Sequence, residues 1–288
     1  MGLGGYLAWT AVAREIVKEG RELFEASEVI KIYPYEARGE DARFVESEVF
    51  KNNPYFWSDQ EKEKSLQLFP LQLNNPHTNY CLQDTPSKAI HVTDKHMIEH
   101  FCSFYEIKNP ELRCEMYFAE EEKEKVGKLK VNLSDNFLII EPISKTNYTP
   151  NRVYPFEKWQ AVVDEISKEI EVVQIGTPGS KQLQNVTSLI GQTTFREASC
   201  LMGEASLFIS SEGGLVHAAT AVDTTAVVVI TGYQSPKMVA YPQNINIDIS
   251  SHGPCGLKVS CPECSRDAES HDYREIIKEI RDFLNSEV

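Results

Sequence analysis

Short, largely apolar segments alternate with amphipathic ones through the second half of this chain. Strands that are apolar along their whole length are buried on both faces, which is typical of parallel sheets covered by connecting helices. The alternation therefore predicts an α/β protein, and such sheets bind ligands beyond the carboxyl ends of their strands. The predicted strands are Phe137–Ile140, Val172–Ile175, Ser206–Ser210 and Ala226–Ile230.

The segments between these strands carry helical signatures. In Pro155–Ile170 the apolar residues recur at the three- and four-residue spacing of one helix face. Thr194 and Glu197 form a capping box that begins a second helix, and Leu215–Val222 is predicted as a third.

The first half alternates less regularly. Its charged run Glu120–Lys130 predicts a solvated helix before a domain boundary near Val131–Asn136. We therefore expect two domains, residues 1–135 and 136–288. The other elements predicted in this half are a helix over about Tyr6–Phe24, a strand at Val29–Tyr33 and a helix at His91–Phe104.

Composition narrows the classes of ligand. The 288 residues are 41% apolar and 25% charged, as in a globular protein. No apolar run is long enough to span a bilayer, and the start lacks the basic region of a signal peptide, so a cytoplasmic location is expected. The net charge of −14 is divided evenly between the halves, which excludes a basic surface for nucleic acid or anionic lipid. An anionic ligand must therefore be held by local groups.

One strand-to-helix turn has the residues of an anion site. Gly213 and Gly214 lie between a predicted strand and a predicted helix, with Glu212 before them and His217 one turn into the helix. Backbone N–H groups at a helix N-terminus bind phosphate, and glycines let it approach closely. His217 could donate to phosphate oxygens, whereas Glu212 suits the hydroxyls of a ribose or sugar. The same residues also fit a tight capped turn with a packed histidine.

A polar loop follows the first strand of the second half. It contains Ser144, Lys145, Thr146 and Arg152. Hydroxyls and cations at the carboxyl end of a strand suit a diphosphate, although such a loop is also a common solvated connection.

Two groups of residues could bind metal. His96, Glu99 and His100 spell the inverted zinc-protease signature H-x-x-E-H, but five residues match by chance and no third ligand segment is evident. The second group consists of His252, Cys255, Cys261 and Cys264. It contains soft ligands for zinc and could equally have a structural or redox-passive role. The seven cysteines of the chain are an odd number, which argues against a disulfide scaffold.

Four stretches resemble, in order, the motifs of glycosyltransferase family 9, the heptosyltransferase-like enzymes. Gly2–Gly5 resembles the family's Gly-x-Gly-Asp turn, and Arg152–Trp159 resembles its Lys-x-Trp-Pro-x-Glu-x-Trp stretch. Gly191–Glu197 resembles its Gly-x-Thr-Ser/Thr-x-x-Glu element. Glu212–Ala219 resembles its Asp-x-Gly-x-x-His-x-Ala motif, and a Gly-x-x-x-Pro loop follows at Gly232–Pro236.

The resemblance implies the GT-B architecture, in which two Rossmann-like domains with parallel sheets face each other across a cleft. Residues 1–135 would hold a glycan acceptor, and residues 136–288 would bind a nucleotide-diphosphate sugar. The implied reaction is an inverting transfer of a heptose-like or hexose sugar in surface polysaccharide or lipopolysaccharide assembly, with no required cofactor. The alternative is a catalytically silent homologue that binds a nucleotide sugar or glycan as a scaffold.

The resemblance also implies roles for individual residues. Glu212 stands for the family's aspartate and would contact the donor sugar or ribose. Arg152 takes the place of the family's phosphate-binding lysine, and the other residues expected at the donor diphosphate are Ser144, Lys145, Thr146, Gly213, Gly214 and His217.

The catalytic base is not identified by the resemblance. Gly5 occupies the position of the family's acceptor-side aspartate, and Leu3–Thr10 contains no carboxylate or histidine. The strand expected before this turn is missing as well, so either the true N-terminus lies upstream of Met1 or the first strand is absent. Another acidic group must enter the cleft if the protein transfers sugar rapidly.

Overall fold

The computed structural model describes residues 2–23, 30–61, 66–143 and 146–286. A six-stranded, wholly parallel sheet forms the centre of the second half, in the order β11-β10-β9-β6-β7-β8. The strands are β6 (Phe137–Glu141), β7 (Glu171–Gln174), β8 (Thr187–Ser188), β9 (Leu207–Ser211), β10 (Ala226–Ile230) and β11 (Ile245–Asp248).

Helices connect these strands and cover the sheet. All four strands and all three helices predicted for this half are present, because strands buried on both faces are continuous apolar runs and the helices between them carry capping or amphipathic patterns. The helices are α4 (Phe156–Ile166), α5 (Phe195–Met202), α6 (Gly214–Ala221), α7 (Pro236–Val239), α8 (Pro262–Ser270) and α9 (Arg274–Ser286).

Successive residues of each strand enter opposite cores. In β6, Phe137 and Ile139 belong to one cluster of buried side chains, whereas Leu138 and Ile140 belong to the other. The second cluster is closed by α4 and α9, with Trp159 at its centre. This alternation is what a strand buried on both faces must produce.

The described residues of the first half form two small sheets and three α-helices. Strand β1 pairs in parallel with β3 and antiparallel with β2. A two-residue turn at Gly39–Glu40 joins β1 to β2, and so short a connection permits only antiparallel pairing. Strands β4 and β5 form a separate antiparallel hairpin. The elements are α1 (Leu3–Leu23), β1 (Ile30–Arg38), β2 (Asp41–Phe44), β3 (Gln67–Gln72), β4 (Cys81–Asp84), β5 (Ala89–His91), α2 (Met97–Phe104) and α3 (Glu120–Lys130).

The helix predicted over His91–Phe104 begins later than expected. His91 pairs with Cys81 in the β4–β5 hairpin, and α2 begins only at Met97. His96 caps α2, since its Nδ1 accepts a hydrogen bond from the backbone N–H of Ile98 at 3.2 Å. The apolar spacing therefore identified the helix but not its first turn.

Helix α1 connects the two halves. Its apolar face belongs to the same cluster of buried side chains as Phe137 and Ile139 of β6, and its first turn lies against α6. Trp9 stacks on Phe101 of α2 with ring centroids 4.3 Å apart. Buried Arg14 pairs with Glu115 at 2.8 Å and fixes α1 to the segment before α3. The N-termini of α1 and α6 are thus brought together.

No helix in the described part of the chain has the length and hydropathy that crossing a membrane requires.

Candidate functional site

The site begins at the turn between β9 and α6. Strand β9 ends at Ser211, and α6 begins at Gly214, so Glu212 and Gly213 form the whole connection. Gly213 has an extended backbone that any residue adopts. A Cβ on Gly213 or Gly214 would meet no atom closer than 3.6 Å, so the two glycines leave room at the turn rather than serve a special conformation.

The close approach is made by the first turn of α1. A Cβ on Gly4 would lie 2.7 Å from Cδ2 of His217 and 3.1 Å from Cα of Gly214. The first N–H groups of a helix have no acceptor within that helix. Two helix N-termini, each with a partial positive charge, therefore meet at one point, which is the arrangement that attracts an anion.

His217 lies in the first turn of α6 with one ring nitrogen engaged. Its Nδ1 is 2.6 Å from the hydroxyl of Tyr241. Burial, with a smaller contribution from Arg152, lowers the pKa of His217 to about 4. The imidazole is neutral at pH 7, so it can serve an anion as a hydrogen-bond donor but not as a cation.

Arg152 supplies the positive charge near this turn. Its Nη2 donates to Oε1 of Gln234 at 2.7 Å, and its guanidinium carbon lies 4.8 Å from the ring centroid of Tyr233. Its Nε is 3.5 Å from Oε1 of Glu212. The arginine is therefore oriented from three sides while its side chain stays 23% exposed.

The carboxylate of Glu212 is deeply buried. Its side chain is 3% exposed, and neither carboxylate oxygen has a hydrogen-bond partner among the described residues. Burial raises the pKa of Glu212 to about 7, although the charge of Arg152 opposes this. The contact of Glu212 with sugar or ribose hydroxyls stays a prediction.

The other residues predicted at the diphosphate are only partly located. Ser144 and Lys145 lie outside the described residues, and Thr146 is exposed. A contribution of these three residues to the site stays a prediction.

Sequence reasoning missed Asn151, which orders the loop that carries Arg152. Its Nδ2 donates to the carbonyls of Leu257 and Val259, both at 2.8 Å, and its Oδ1 accepts from the N–H of Cys261 at 2.8 Å. These partners are more than 100 residues away along the chain, so no local pattern could have identified them.

The loop that Asn151 holds contains the predicted metal ligands. The sulfurs of Cys255 and Cys264 are 3.5 Å apart, and Nε2 of His252 is 3.6 Å from the sulfur of Cys264. The ligand atoms of His252, Cys261 and Cys264 all lie within 4.8 Å of one another. Two thiolates on one tetrahedral zinc, with Zn–S of about 2.3 Å, are about 3.8 Å apart. The cluster has metal-site dimensions.

The protonation of the cluster also suits a metal. Nδ1 of His252 is 2.6 Å from the carbonyl of Gly253, which fixes the proton on Nδ1 and leaves the Nε2 lone pair free. The hydrogen bond from Cys264 lowers the pKa of Cys255 to about 6 and raises the pKa of Cys264, so the two sulfurs share one proton that a metal would displace. Thiolates are the form of cysteine that binds metal.

The zinc-protease pattern has a structural role instead. His96 and Glu99 form a capping box at the start of α2, with Oε2 of Glu99 accepting from the N–H of His96 at 2.8 Å. Burial lowers the pKa of His96 to about 3. His96 is outside the helix, so it does not share a helix face with His100 as the pattern requires.

Gly5 lies in the first turn of α1. It is not among the glycines with positive φ, so an L-residue fits its backbone. Two cavities, of about 210 and 300 Å³, are lined by other parts of the surface, the first next to Ile30 of β1 and the second next to Gln243.

The family model described as glycosyltransferase family 9 (heptosyltransferase) matches residues 83–264, which is more than half of the chain. The stretch Gly2–Gly5 lies before the matched region. No curated protein matches the sequence.

Several solved structures are similar. A glycosyltransferase of family 9 from Veillonella parvula has a TM-score of 0.65 and 12% identity over 99% of this chain and 95% of its own. The iron-containing dodecameric glycosyltransferase TibC from enterotoxigenic E. coli has a TM-score of 0.62 and 13% identity, over 100% and 75%. The ADP-heptose LPS heptosyltransferase II of E. coli has a TM-score of 0.51 and 16% identity, over 67% and 63%. These likenesses confirm the predicted α/β fold class and GT-B architecture.

Proposed function

The chain belongs to glycosyltransferase family 9, and on that premise we propose that it transfers a sugar from a nucleotide-diphosphate donor to a glycan acceptor. The similar E. coli enzyme is described as acting with ADP-heptose on lipopolysaccharide, so an ADP-heptose-like donor is the first candidate. A cytoplasmic location and an acceptor site on residues 1–135, next to a donor site on residues 136–288, are parts of the same proposal.

One observation supports the donor site most strongly. The first turn of α1 meets the first turn of α6, with Gly4 against His217 and Gly214. Arg152 adds a cation beside this point. In a protein with a net charge of −14, converging N–H groups and one oriented arginine are the local device that a diphosphate requires.

The proposed reaction follows from these groups. The acceptor hydroxyl attacks the anomeric carbon and loses its proton to a base, while the bond from that carbon to the diphosphate breaks with inversion. Arg152 and the helix N-termini stabilise the charge that develops on the leaving diphosphate, and His217 donates to one of its oxygens. No step needs a metal. The residue that accepts the proton is not assigned.

We also propose that His252, Cys255, Cys261 and Cys264 hold a metal ion, zinc or iron. One nitrogen and three sulfurs form a soft donor set suited to either metal. The similar TibC is described as iron-containing. The ion would fix the segment 252–264, whose carbonyls hold Asn151 next to Arg152. Its role would be structural.

Binding of ADP tests the donor site. Arg152→Ala and His217→Ala should each weaken binding about 10- to 100-fold, because each removes a hydrogen bond to a charged oxygen. The matched control is Arg274→Ala. Arg274 is an exposed arginine at the start of α9, where it pairs with Asp272. Unchanged ADP affinity in both site variants, with the fold intact, would refute the assignment.

Gly5 favours a second candidate function, a catalytically silent protein that binds a nucleotide sugar or glycan. A presumed base is missing at this position. Binding of ADP-heptose without transfer or hydrolysis over many hours would support the silent protein. Turnover of the donor would support the enzyme.

A further inference from the structure

Behind the proposed diphosphate site, three buried side chains form a hydrogen-bonded row. The hydroxyl of Tyr241 lies 2.6 Å from Nδ1 of His217 and 3.3 Å from the sulfur of Cys114. Tyr241 and Cys114 are fully buried, and His217 is 8% exposed. Since Tyr241 lies between α7 and β11, it reaches His217 from a different element.

The direction of the short bond follows from the chemistry of its two partners. A neutral imidazole carries one N–H donor and one acceptor nitrogen. A phenol is a better donor than an imidazole N–H, and an imidazole nitrogen is a better acceptor than a phenol oxygen. The hydroxyl of Tyr241 therefore donates to Nδ1 of His217. The thiol of Cys114 can then donate to the phenol oxygen, so every member of the row is satisfied.

The ionisation of both partners is consistent with a neutral pair. Burial raises the pKa of Tyr241 well above its ordinary value and lowers the pKa of His217 to about 4. His96 is the other titratable group against the Tyr241 ring, with centroids 4.6 Å apart, and its pKa is also lowered, to about 3. No charge therefore competes for the hydroxyl near pH 7.

The second nitrogen of His217 faces the site. Nε2 lies 3.3 Å from the position that a Cβ on Gly4 would occupy, at the meeting point of the two helix N-termini. We propose that Tyr241 is a positioning residue that holds His217 in the tautomer with its proton on Nε2, so that the ring donates to the diphosphate. This inference rests on the proposed function. Without Tyr241, the ring could present a lone pair, which a phosphate oxygen repels.

The ring of His217 is also held by packing. It meets the Tyr241 ring edge to face, with centroids 5.5 Å apart, and Gly4 lies against its Cδ2. The hydroxyl of Thr220 donates to the backbone carbonyl of His217 at 2.9 Å. None of these contacts uses the Tyr241 hydroxyl. A Tyr241→Phe variant should therefore keep the ring in place and lose only the control of its tautomer.

The tautomer can be measured directly. In protein with 15N-labelled histidine, long-range NMR couplings identify the protonated ring nitrogen. We expect Nε2–H for His217 in the wild type and a mixture of tautomers in Tyr241→Phe, with ADP affinity about tenfold lower. In the His217→Ala background, Tyr241→Phe should cause no further loss of ADP affinity.

Tyr154→Phe is the matched control. The Tyr154 hydroxyl also bonds a histidine, with Nδ1 of His271 at 2.8 Å, on the opposite face of the sheet. Its loss should leave ADP affinity and the His217 tautomer unchanged.

Two results would overturn the inference. One is the finding that His217 in the wild type carries its proton on Nδ1. This measurement does not depend on the folding of any variant. The other is a folded Tyr241→Phe protein with wild-type tautomer and ADP affinity, which would mean that Tyr241 only fills space. If the wild type carries Nε2–H but binds no ADP, the proposed function fails while the tautomer assignment stands.

Discussion

The carboxylate of Glu212 combines deep burial with a single charged neighbour. Its pKa of about 7 lies above the ordinary 4.5 because burial penalises the charged form more than Arg152 stabilises it. Between these two pH values the folded protein binds more protons than the unfolded chain. The free energy of unfolding should therefore fall as the pH rises from about 4.5 to 7 and stay lower above that range.

Glu212→Gln removes this dependence. At pH 8 we expect the variant to be more stable than the wild type by about 3 kcal/mol, which is the free energy of such a pKa difference, and at pH 5 we expect a gain of less than about 1 kcal/mol. Urea denaturation at the two pH values measures the effect. The exposed Glu40→Gln serves as control. If the gain in stability of Glu212→Gln over the wild type is no larger at pH 8 than at pH 5, Glu212 is not held protonated.

The motif resemblance places Gly5 where the family has its acceptor-side base, and this placement stays a prediction. The helical backbone of Gly5 accepts an L-residue, so the strain expected of a left-handed glycine does not arise. An aspartate in the first turn of a helix is favoured by the helix dipole. We therefore expect Gly5→Asp to fold normally. It should also increase donor hydrolysis or sugar transfer, and the upper limit is the factor of about 10²–10⁴ that a general base contributes. Turnover of ADP-heptose measures it, with Gly5→Asn as control. A fast wild type that Gly5→Asp leaves unchanged would mean that another group is the base.

At the scale of elements, the sequence predicts best where burial is most complete. The apolar runs of β6, β9 and β10 could be assigned because both of their faces are covered. Strand β11 escaped prediction because Asn246 interrupts a four-residue edge strand. Two-residue β8 has no periodicity to detect. In contrast, α9 has Ile276, Ile277 and Ile280 on one face, and the spacing rule would have identified it.

The segment between β11 and α8 tests the metal proposal. Its backbone bonds to both halves: the N–H of Ala89 in β5 donates to the carbonyl of Gly256, and the N–H of Cys255 donates to that of Gly232. If a metal fixes this segment, Cys261→Ser should lose the ion and lower the melting temperature by several degrees, since bound metal stabilises only the folded state. Cys200→Ser, outside the cluster, is the control.

Metal analysis and thermal melting decide this prediction together. The proposal predicts one zinc or iron ion per chain in the wild type and in Cys200→Ser, and loss of that ion in Cys261→Ser. Protein purified without chelators that contains neither metal would refute it, and the cluster would then be a packed group of thiols.

At the scale of the whole molecule, the site depends on contacts that no local pattern contains. Motif spacing identified Arg152, Gly214 and His217 as candidates, because each lies in a recognisable stretch. The approach of Gly4 to His217 crosses more than 200 residues, and that of Cys114 to Tyr241 crosses 127. Such contacts result from the packing of both halves of the chain into one core, which single-sequence reasoning cannot derive. The division at residue 135 stays a prediction.

The meeting of two helix N-termini makes a prediction that involves both ends of the chain. If one diphosphate accepts hydrogen bonds from both helices, saturating ADP should slow amide hydrogen exchange in residues 3–5 and in residues 214–217 together. The first N–H groups of a helix have no acceptor within it and exchange quickly, whereas the N–H of Val216 already bonds the carbonyl of Gly213. The slowing in α6 should therefore be greatest at Gly214 and Leu215, and exchange times of seconds, read by mass spectrometry, are needed. Residues 274–286 of α9 should not change. Protection confined to residues 214–217 would mean that α1 only packs beside the donor, and the diphosphate would then belong to the second half alone.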